Sequence, residues 1–247
     1  MDANFNYGDT VYGFYDLLYP PIGVSEVVDD ITARYPEGAR IVDFGVGTGR
    51  TAIPLALAGH DVLGIDISES MLEVLRDKDP STLVRTECKS FVDGEGDASY
   101  DLCMIMNNTF FMLLDSLDRI NALRSAYSYL KPGGHLILEA YAPHRYLFKE
   151  DNYFSSTPLG EGDMILIDQI KVDPVEQTLL AFRSVVGRGK VATFVEQSRF
   201  SFPRDLDDIA ANVGFDLFSR SKNWIGDPVD LSADMYIADY VKPVSYT

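Results

Sequence analysis

The sequence predicts an α/β domain: a doubly wound, mostly parallel sheet with an antiparallel β-meander inserted late in the chain. Three observations carry this. Short apolar runs alternate with helical stretches from Arg40 to Ala140. The first of these runs enters a glycine loop, Asp43-Phe-Gly45-Val-Gly47-Thr-Gly49. After about Tyr146 the pattern turns to alternating strands, and the helical rhythm returns only near Pro203. Near-continuous apolar strands separated by helices are what a sheet covered on both faces requires.

Taken in order, Arg40–Phe44 is a buried strand feeding the glycine loop. Arg50–Ala58 reads as a helix, with Pro54 in its first turns, where a missing N–H costs little. Asp61–Asp66 is a second buried strand. Ser68 caps a helix to about Lys78, with Met71, Leu72 and Leu75 on one face. Strands follow near 82–86 and 101–106. Ser116 opens a helix that stops at Lys131-Pro132-Gly133-Gly134, and His135–Ala140 is the next strand.

Met164–Val172, Thr178–Gly187 and Val191–Phe202 read as three antiparallel strands separated by Asp173-Pro174 and Gly187-Arg188-Gly189. A helix over Pro203–Asn212 with a Gly214 C-cap and late strands near 215–221 and 234–242 complete one domain over residues 1–247. The insert occupies 152–202. Phe182, Val185, Phe194 and Phe200 alternate there with Arg183, Glu196 and Arg199. Such a sheet either roofs a pocket or pairs with a second copy in a homodimer.

The chain has 247 residues, 46% hydrophobic and 24% charged, the balance of an ordinary globular domain. Its net charge of −17 has the wrong sign for a phosphate-binding surface, so nucleic acid and anionic membrane are not expected partners. Two cysteines, Cys88 and Cys103, make no disulfide framework and are expected to pack as small hydrophobes. Three histidines make no dense metal site, so no metal is expected. The chain opens Met1-Asp2-Ala3-Asn4 without a basic-then-apolar leader, and no apolar run reaches the ~20 residues of a membrane span. A cytoplasmic location is the expectation.

The glycine loop is the sharpest chemical signal. A tight turn that admits a ligand favours residues without a Cβ, and the helix after it offers free N–H groups. Asp66 ends the next strand and so lies beside the loop, where a carboxylate can accept both hydroxyls of a ribose. A dinucleotide site requires G-x-G-x-x-G, but Arg50 stands where the third glycine belongs.

The pattern D-x-G-x-G-x-G instead resembles motif I of the class I S-adenosylmethionine-dependent methyltransferases. Gly64-Ile65-Asp66-Ile67-Ser68-Glu69-Ser70-Met71-Leu72 is similar to their next motif, and Tyr127–Gly134 to the segment before their fifth strand. The resemblance runs from about residue 10 to 242 and extends to a subgroup acting on small molecules, including amino-sugar N-methyltransferases. It implies a Rossmann-like, seven-stranded methyltransferase fold and S-adenosyl-L-methionine as cofactor. Gly45, Gly47 and Gly49 then pass the methionyl part, Asp43 orients the loop, Asp66 holds the ribose, and Ile67 and Met71 border the adenine.

In Arg85-Thr-Glu87-Cys88, Glu87 stands where the family often has an Asp for the adenine amino group, and Cys88 offers its backbone N–H. Tyr100–Thr109 resembles motif IV, which sets Met106 at the sulfonium, with Asn107 and Asn108 either reaching the pocket or capping the strand end. Tyr12, Tyr15 and Tyr19 recur at helical spacing, and Phe14–Tyr19 resembles part of a lid (residues 1–35) closing over the cofactor. Tyr15 matches a tyrosine touching cofactor or substrate, hence a catalytic candidate; an aromatic stripe that merely packs the helix down is the other reading.

Candidate bases lie in Glu139–Tyr146, with His144 foremost because an ordinary imidazole titrates near neutrality. Tyr141, Arg145 and Trp224 are expected at the acceptor, with core packing the other reading of Trp224. The expected activity is methyl transfer to O or N of a small molecule, with natural-product biosynthesis as one setting for it. A cofactor-binding relative with other chemistry, such as cyclisation, or a non-catalytic partner subunit stays open.

Overall fold

A computed structural model describes residues 7–147 and 152–244; the opening Met1–Asn4, read above for a leader, lies outside them. Seven strands form one sheet: β1 (Arg40–Phe44), β2 (Asp61–Asp66), β3 (Val84–Cys88), β4 (Tyr100–Ile105), β5 (Leu130–Tyr141), β10 (Asp216–Ser221) and β11 (Met235–Val241). Their order is β10-β11-β5-β4-β1-β2-β3. β5 to β3 run parallel, and β11 and β10 join antiparallel at one edge. The chain order reverses between β1 and β4, so the loops after these strands part and leave a crevice at their carboxyl ends.

Helices cover both faces. α3 (Val24–Arg34), α4 (Ala52–Leu57) and α5 (Glu69–Lys78) pack Ile31, Leu55 and Leu72 against Ile41, Val62 and Met104. α6 (Ser116–Tyr129) and α8 (Pro203–Val213) bury Leu123, Ala126 and Leu206 against Phe44, Leu136 and Leu138 on the other face. Ser68 caps α5, its Oγ accepting the Met71 N–H at 3.2 Å. α6 begins at Ser116 as expected, and its cap is Asp115, whose carboxylate takes the Leu117 N–H at 2.7 Å. Gly214 ends α8 in the left-handed region.

The second sheet is β6-β7-β8-β9: Asn152–Leu159, Met164–Asp173, Thr178–Gly187 and Lys190–Arg199, all antiparallel. It has four strands where the alternation predicts three. β6 escapes that reading because Ser155-Ser156-Thr157-Pro158 lacks apolar alternation. The inner face is split. Ile170, Val172, Leu179 and Ala181 join the main core. Leu166, Val185 and Phe194 form a separate cluster with Val11, Phe14, Tyr15 and Leu18.

Two expectations are corrected. Tyr12, Tyr15 and Tyr19 do not share one helix: α1 (Tyr7–Val11) and α2 (Tyr15–Leu18) are separated by a turn at Tyr12–Phe14, and Tyr12 is exposed. Cys103 is buried as a small hydrophobe, but Cys88 is exposed, because β3 is the edge strand of the sheet. Among the described residues no helix is long and apolar enough to cross a membrane.

Candidate functional site

β1 delivers the glycine loop to the sheet crevice. The Gly45 and Val46 N–H groups donate to the Ile65 carbonyl at 2.7 and 3.2 Å, tying the loop to β2. Gly47 lies at φ 55° facing open space: an added Cβ would find nothing nearer than the Gly45 carbonyl at 4.0 Å. Gly49 differs. A Cβ there would meet Ile53 and Leu75 at 2.8 Å, so this glycine seats the loop on α4 and α5.

Two carboxylates flank the loop. Asp66 accepts the Gly47 N–H at 2.8 Å and the Ser68 N–H at 2.9 Å. Burial raises its carboxyl above the ordinary range, and the backbone donors hold it down in part. Asp43 is 3% exposed, and its Oδ1 is buried without a hydrogen-bond partner. Burial, then the Asp66 charge, pushes the Asp43 carboxyl up to about 8. A buried acceptor without a donor is costly, and a ligand bringing N–H or O–H donors removes that cost. An adenosyl ligand with an aminoacyl tail has both, and open Gly47 leaves it room.

α1 and α2 close over this edge. Gly8 packs on Ser68, whose Oγ donates to Asp9 at 2.5 Å. Asp16 accepts Thr48 Oγ1 at 2.6 Å and pairs with Lys78 at 2.9 Å. Tyr15 packs against Tyr19 with the rings tilted at 46°, their centroids 4.9 Å apart. Burial chiefly pushes the Tyr15 hydroxyl up to about 12, with Arg50 opposing and Glu196 and Asp66 reinforcing.

The second sheet adds a buried polar network behind α2. Arg183 Nε donates to Asp168 at 3.0 Å, and its Nη1 donates to Glu196 at 2.6 Å and to the Tyr19 hydroxyl at 2.5 Å. Tyr19 in turn donates to Glu196 at 3.1 Å.

Beyond β4 and β5 lies a cavity of about 270 Å³. Arg50, Asn107, Asn108, Glu139, Tyr141 and Trp224 are among its walls. Asn107 and Asn108 are both left-handed, at φ 51° and 65°, which bends the chain sharply off β4. Asn107 accepts Arg50 Nη1 at 2.8 Å; Asn108 accepts the Tyr141 N–H at 2.6 Å. The Trp224 indole donates to Glu139 at 2.9 Å. Met106 is buried at the strand end and also lines the cavity.

The other sequence candidates fall as follows. Met71 is buried under α1, whereas Ile67 is 64% exposed. Glu87 pairs with Lys89 at 2.5 Å on the edge strand, and Cys88 Sγ donates to the Ile67 carbonyl at 3.6 Å. The Tyr141 hydroxyl meets Ser198 Oγ at 2.9 Å. Arg145 pairs with Asp234 at 2.9 Å. His144 Nε2 donates to the Leu231 carbonyl at 3.1 Å, so this nitrogen is a donor there and not a free base. Among the described residues no group of three or more potential metal ligands gathers.

In the sequence Arg50 is the start of a helix and the residue that breaks the dinucleotide pattern, with no sign of a cavity role, and nothing marks Asp168. Glu139 carries a stronger signal, as a charge inside the apolar run Leu136-Ile-Leu-Glu139-Ala140.

A family model described as "Methyltransferase domain" matches residues 41–134. A cypemycin N-terminal methyltransferase from a Streptomyces species is 28% identical over 227 residues, 90% of this chain and 91% of that protein. The structure of the CcbJ methyltransferase from Streptomyces caelestis superposes with a TM-score of 0.88 at 29% identity, covering 96% of this chain and 98% of the other. The SAM-bound amino pentose methyltransferase CalS10 from Micromonospora echinaspora shares the fold, with a TM-score of 0.71 at 19% identity over 92% and 96% of the chains.

Proposed function

We propose that the chain is an S-adenosylmethionine-dependent methyltransferase and that it methylates a nitrogen or oxygen of a small molecule, nitrogen being favoured. The preference rests on names: one relative acts on the N-terminus of cypemycin, and fold neighbours include an amino pentose methyltransferase and a sugar N-methyltransferase. The observation that carries the cofactor half is the juxtaposition of open Gly47, Asp66 on its N–H, and the orphaned Asp43 oxygen.

In this reading Asp66 takes the ribose hydroxyls, and Gly45 and Gly47 flank the methionyl part with Asp43 below. Ile67, Met71 and the Glu87–Cys88 edge border the adenine. S-adenosylmethionine brings an electrophilic methyl on a sulfonium, so displacement requires alignment and no metal. The chain's task is then to orient the acceptor and exclude water. Residues 7–18 serve as the lid, Met106 faces the reacting methyl, and Asn108, Tyr141 and Trp224 line the acceptor side. Tyr15, neutral with its raised hydroxyl, positions rather than deprotonates. Arg145, paired with Asp234, and His144, on the Leu231 carbonyl, lie in the segment just after Tyr141, and a proton leaving an ammonium acceptor passes to solvent.

The insert's outward face carries Phe154, Ile165, Phe182 and Val191, exposed by 70, 45, 46 and 67%. We assign it to pairing with a second copy. Two unpaired cysteines, one exposed, suit a reducing cytoplasm.

Incubation with methyl-labelled S-adenosylmethionine and matched amine and alcohol acceptors tests the activity. Label on amines is the expected result. Cofactor binding without transfer to any acceptor would remove the methyl-transfer assignment.

A further inference from the structure

Arg119 stands in the first turn of α6 and is only 3% exposed. Its Nε and Nη2 are both buried without an acceptor. Among the described residues it enters no ion pair. The guanidinium lies instead over two ring faces, 4.8 Å from the centroid of Phe110 and 5.7 Å from that of Phe111. Asp205 attracts it from a distance, but that carboxylate is spent on the Phe202 N–H and the Gln177 amide, each at 3.2 Å.

A second cation deepens the imbalance. Arg199, at the end of β9, donates its Nη1 to the Ser116 hydroxyl at 2.7 Å and to the Leu114 carbonyl at 3.1 Å, so it grips the entry of α6 through neutral groups. Its Nε too is buried without an acceptor. Asp115 and Asp118, beside Arg119 in the sequence, are exposed and form no ion pair with either arginine. The first turn of this fourteen-residue helix is also its positive end, where a cation is disfavoured. Burial, then the Arg199 charge, pushes the Arg119 guanidinium down to about 10, so it still carries its charge at neutral pH. A buried charge without a counter-ion is costly, and ring faces offset only part of that cost.

The two orphaned donors of Arg119 share one edge of the guanidinium. Nε–H and Nη2–H on that edge point the same way, at a spacing that matches the two oxygens of a carboxylate. We propose that Arg119, backed by Arg199, seats a small planar oxyanion of the carboxylate class in a bidentate pair. Two sources carry that chemistry: a free ion such as formate or bicarbonate, and a carboxylate on the acceptor. Tyr141, a wall of the cavity beyond β4 and β5, adjoins the seat. Its ring stands at 77° to that of Phe111 with centroids 5.0 Å apart, and its hydroxyl meets Ser198, the residue before Arg199. The seat does not rest on the methyltransferase reading; its assignment to the acceptor does.

The probe is formate labelled with carbon-13, the smallest such anion, followed by the broadening of its carbon resonance in low-salt buffer. The natural protein should broaden the line saturably. Nitrate, also planar and anionic, should relieve the broadening, and methylammonium should not. Arg119→Lys keeps the charge and loses the paired edge, so it should weaken formate at least tenfold. Arg119→Met should abolish the response. If the variants fail to fold, the competition on the natural protein decides alone. No saturable broadening, a response that nitrate does not relieve, or equal responses from the natural protein and a folded Arg119→Lys would each overturn the proposal.

Longer carboxylates separate the sources. Formate displaced by nitrate but not by butyrate assigns the seat to a free ion; displacement by butyrate assigns it to a carboxylate carried by the acceptor. If S-adenosylhomocysteine does not bind in a parallel titration, the methyltransferase reading fails, and the formate result still decides the seat.

Discussion

The carboxylate of Asp66 accepts the backbone N–H of Gly47 at 2.8 Å, so the end of β2 clamps the turn that follows β1. Since Asp66 also takes the Ser68 N–H, it sets the entry of α5 as well. Asp66→Ala removes a charge-assisted acceptor from the ribose side. S-adenosylhomocysteine affinity is expected to fall by about 1–3 kcal/mol in calorimetry. Unchanged affinity would take Asp66 out of the site.

Asp43 yields a pH prediction. Its folded-state carboxyl lies near 8, far above an ordinary aspartate. Between about pH 4 and pH 8 the unfolded chain therefore gives up this proton while the folded chain keeps it. Stability falls as pH rises through that window and is restored only on returning toward pH 4. Asp43→Asn carries no such proton. The ligand-free variant should match the natural chain near pH 4 and exceed it by a gap that grows to a few kcal/mol by pH 8. Thermal melts across the range check this; a gap independent of pH refutes it.

The sheet and the glycine loop are legible in the sequence because both are local. Apolar runs mark β1, β2, β4 and β5, and glycines mark the turn after β1. The polar network is not legible. Asp168, Arg183 and Glu196 meet only because β7, β8 and β9 align Asp168 with Arg183 and place Glu196 one pair along on the same face. Tyr19 joins them from 164 positions away from Arg183. No spacing rule reaches that far. The break between α1 and α2 is local, yet tyrosine periodicity hides it, because Gly13 in the turn interrupts the helix without disturbing the count. Arg50 is plain in the sequence, but its role depends on Asn107 and Ile22, which the fold alone brings to it.

Tyr15 tests whether the lid acts by chemistry or by shape. With its hydroxyl pushed up to about 12, it stays neutral through the working range and cannot serve as a base. Tyr15→Phe keeps the ring against Tyr19 and should leave the pH profile of kcat/KM unchanged, with less than a tenfold loss. Tyr15→Ala opens the lid to water and should lose considerably more. Disappearance of an ionisation from the Tyr15→Phe profile would contradict this.

Phe182 faces outward on β8, aligned with Gln169 on β7 and Val195 on β9. Burying this face in a second copy removes apolar area from water, and a carboxylate at its centre makes that burial unfavourable. Phe182→Asp is expected to sediment as a monomer where the natural chain sediments as a dimer, with an unchanged melting temperature at low concentration. A natural chain that stays monomeric at high concentration would rule the pairing out.

Arg183 pairs with both Asp168 and Glu196, at 3.0 and 2.6 Å, and all three side chains are largely buried. Arg183→Met keeps the length of the side chain and removes its charge. Two buried carboxylates are then left uncompensated, and breaking such a pair costs roughly 3–5 kcal/mol. Tyr19 also loses a donor, so α2 should loosen from the insert. The expected outcome is a large drop in the urea midpoint together with faster amide exchange in residues 15–18. Replacing the triad together with apolar residues of similar volume, Asp168→Leu and Glu196→Met with Arg183→Met, should recover most of the midpoint, because no charge then stays buried. If the single variant melts like the natural chain, the network does not hold the insert to the lid.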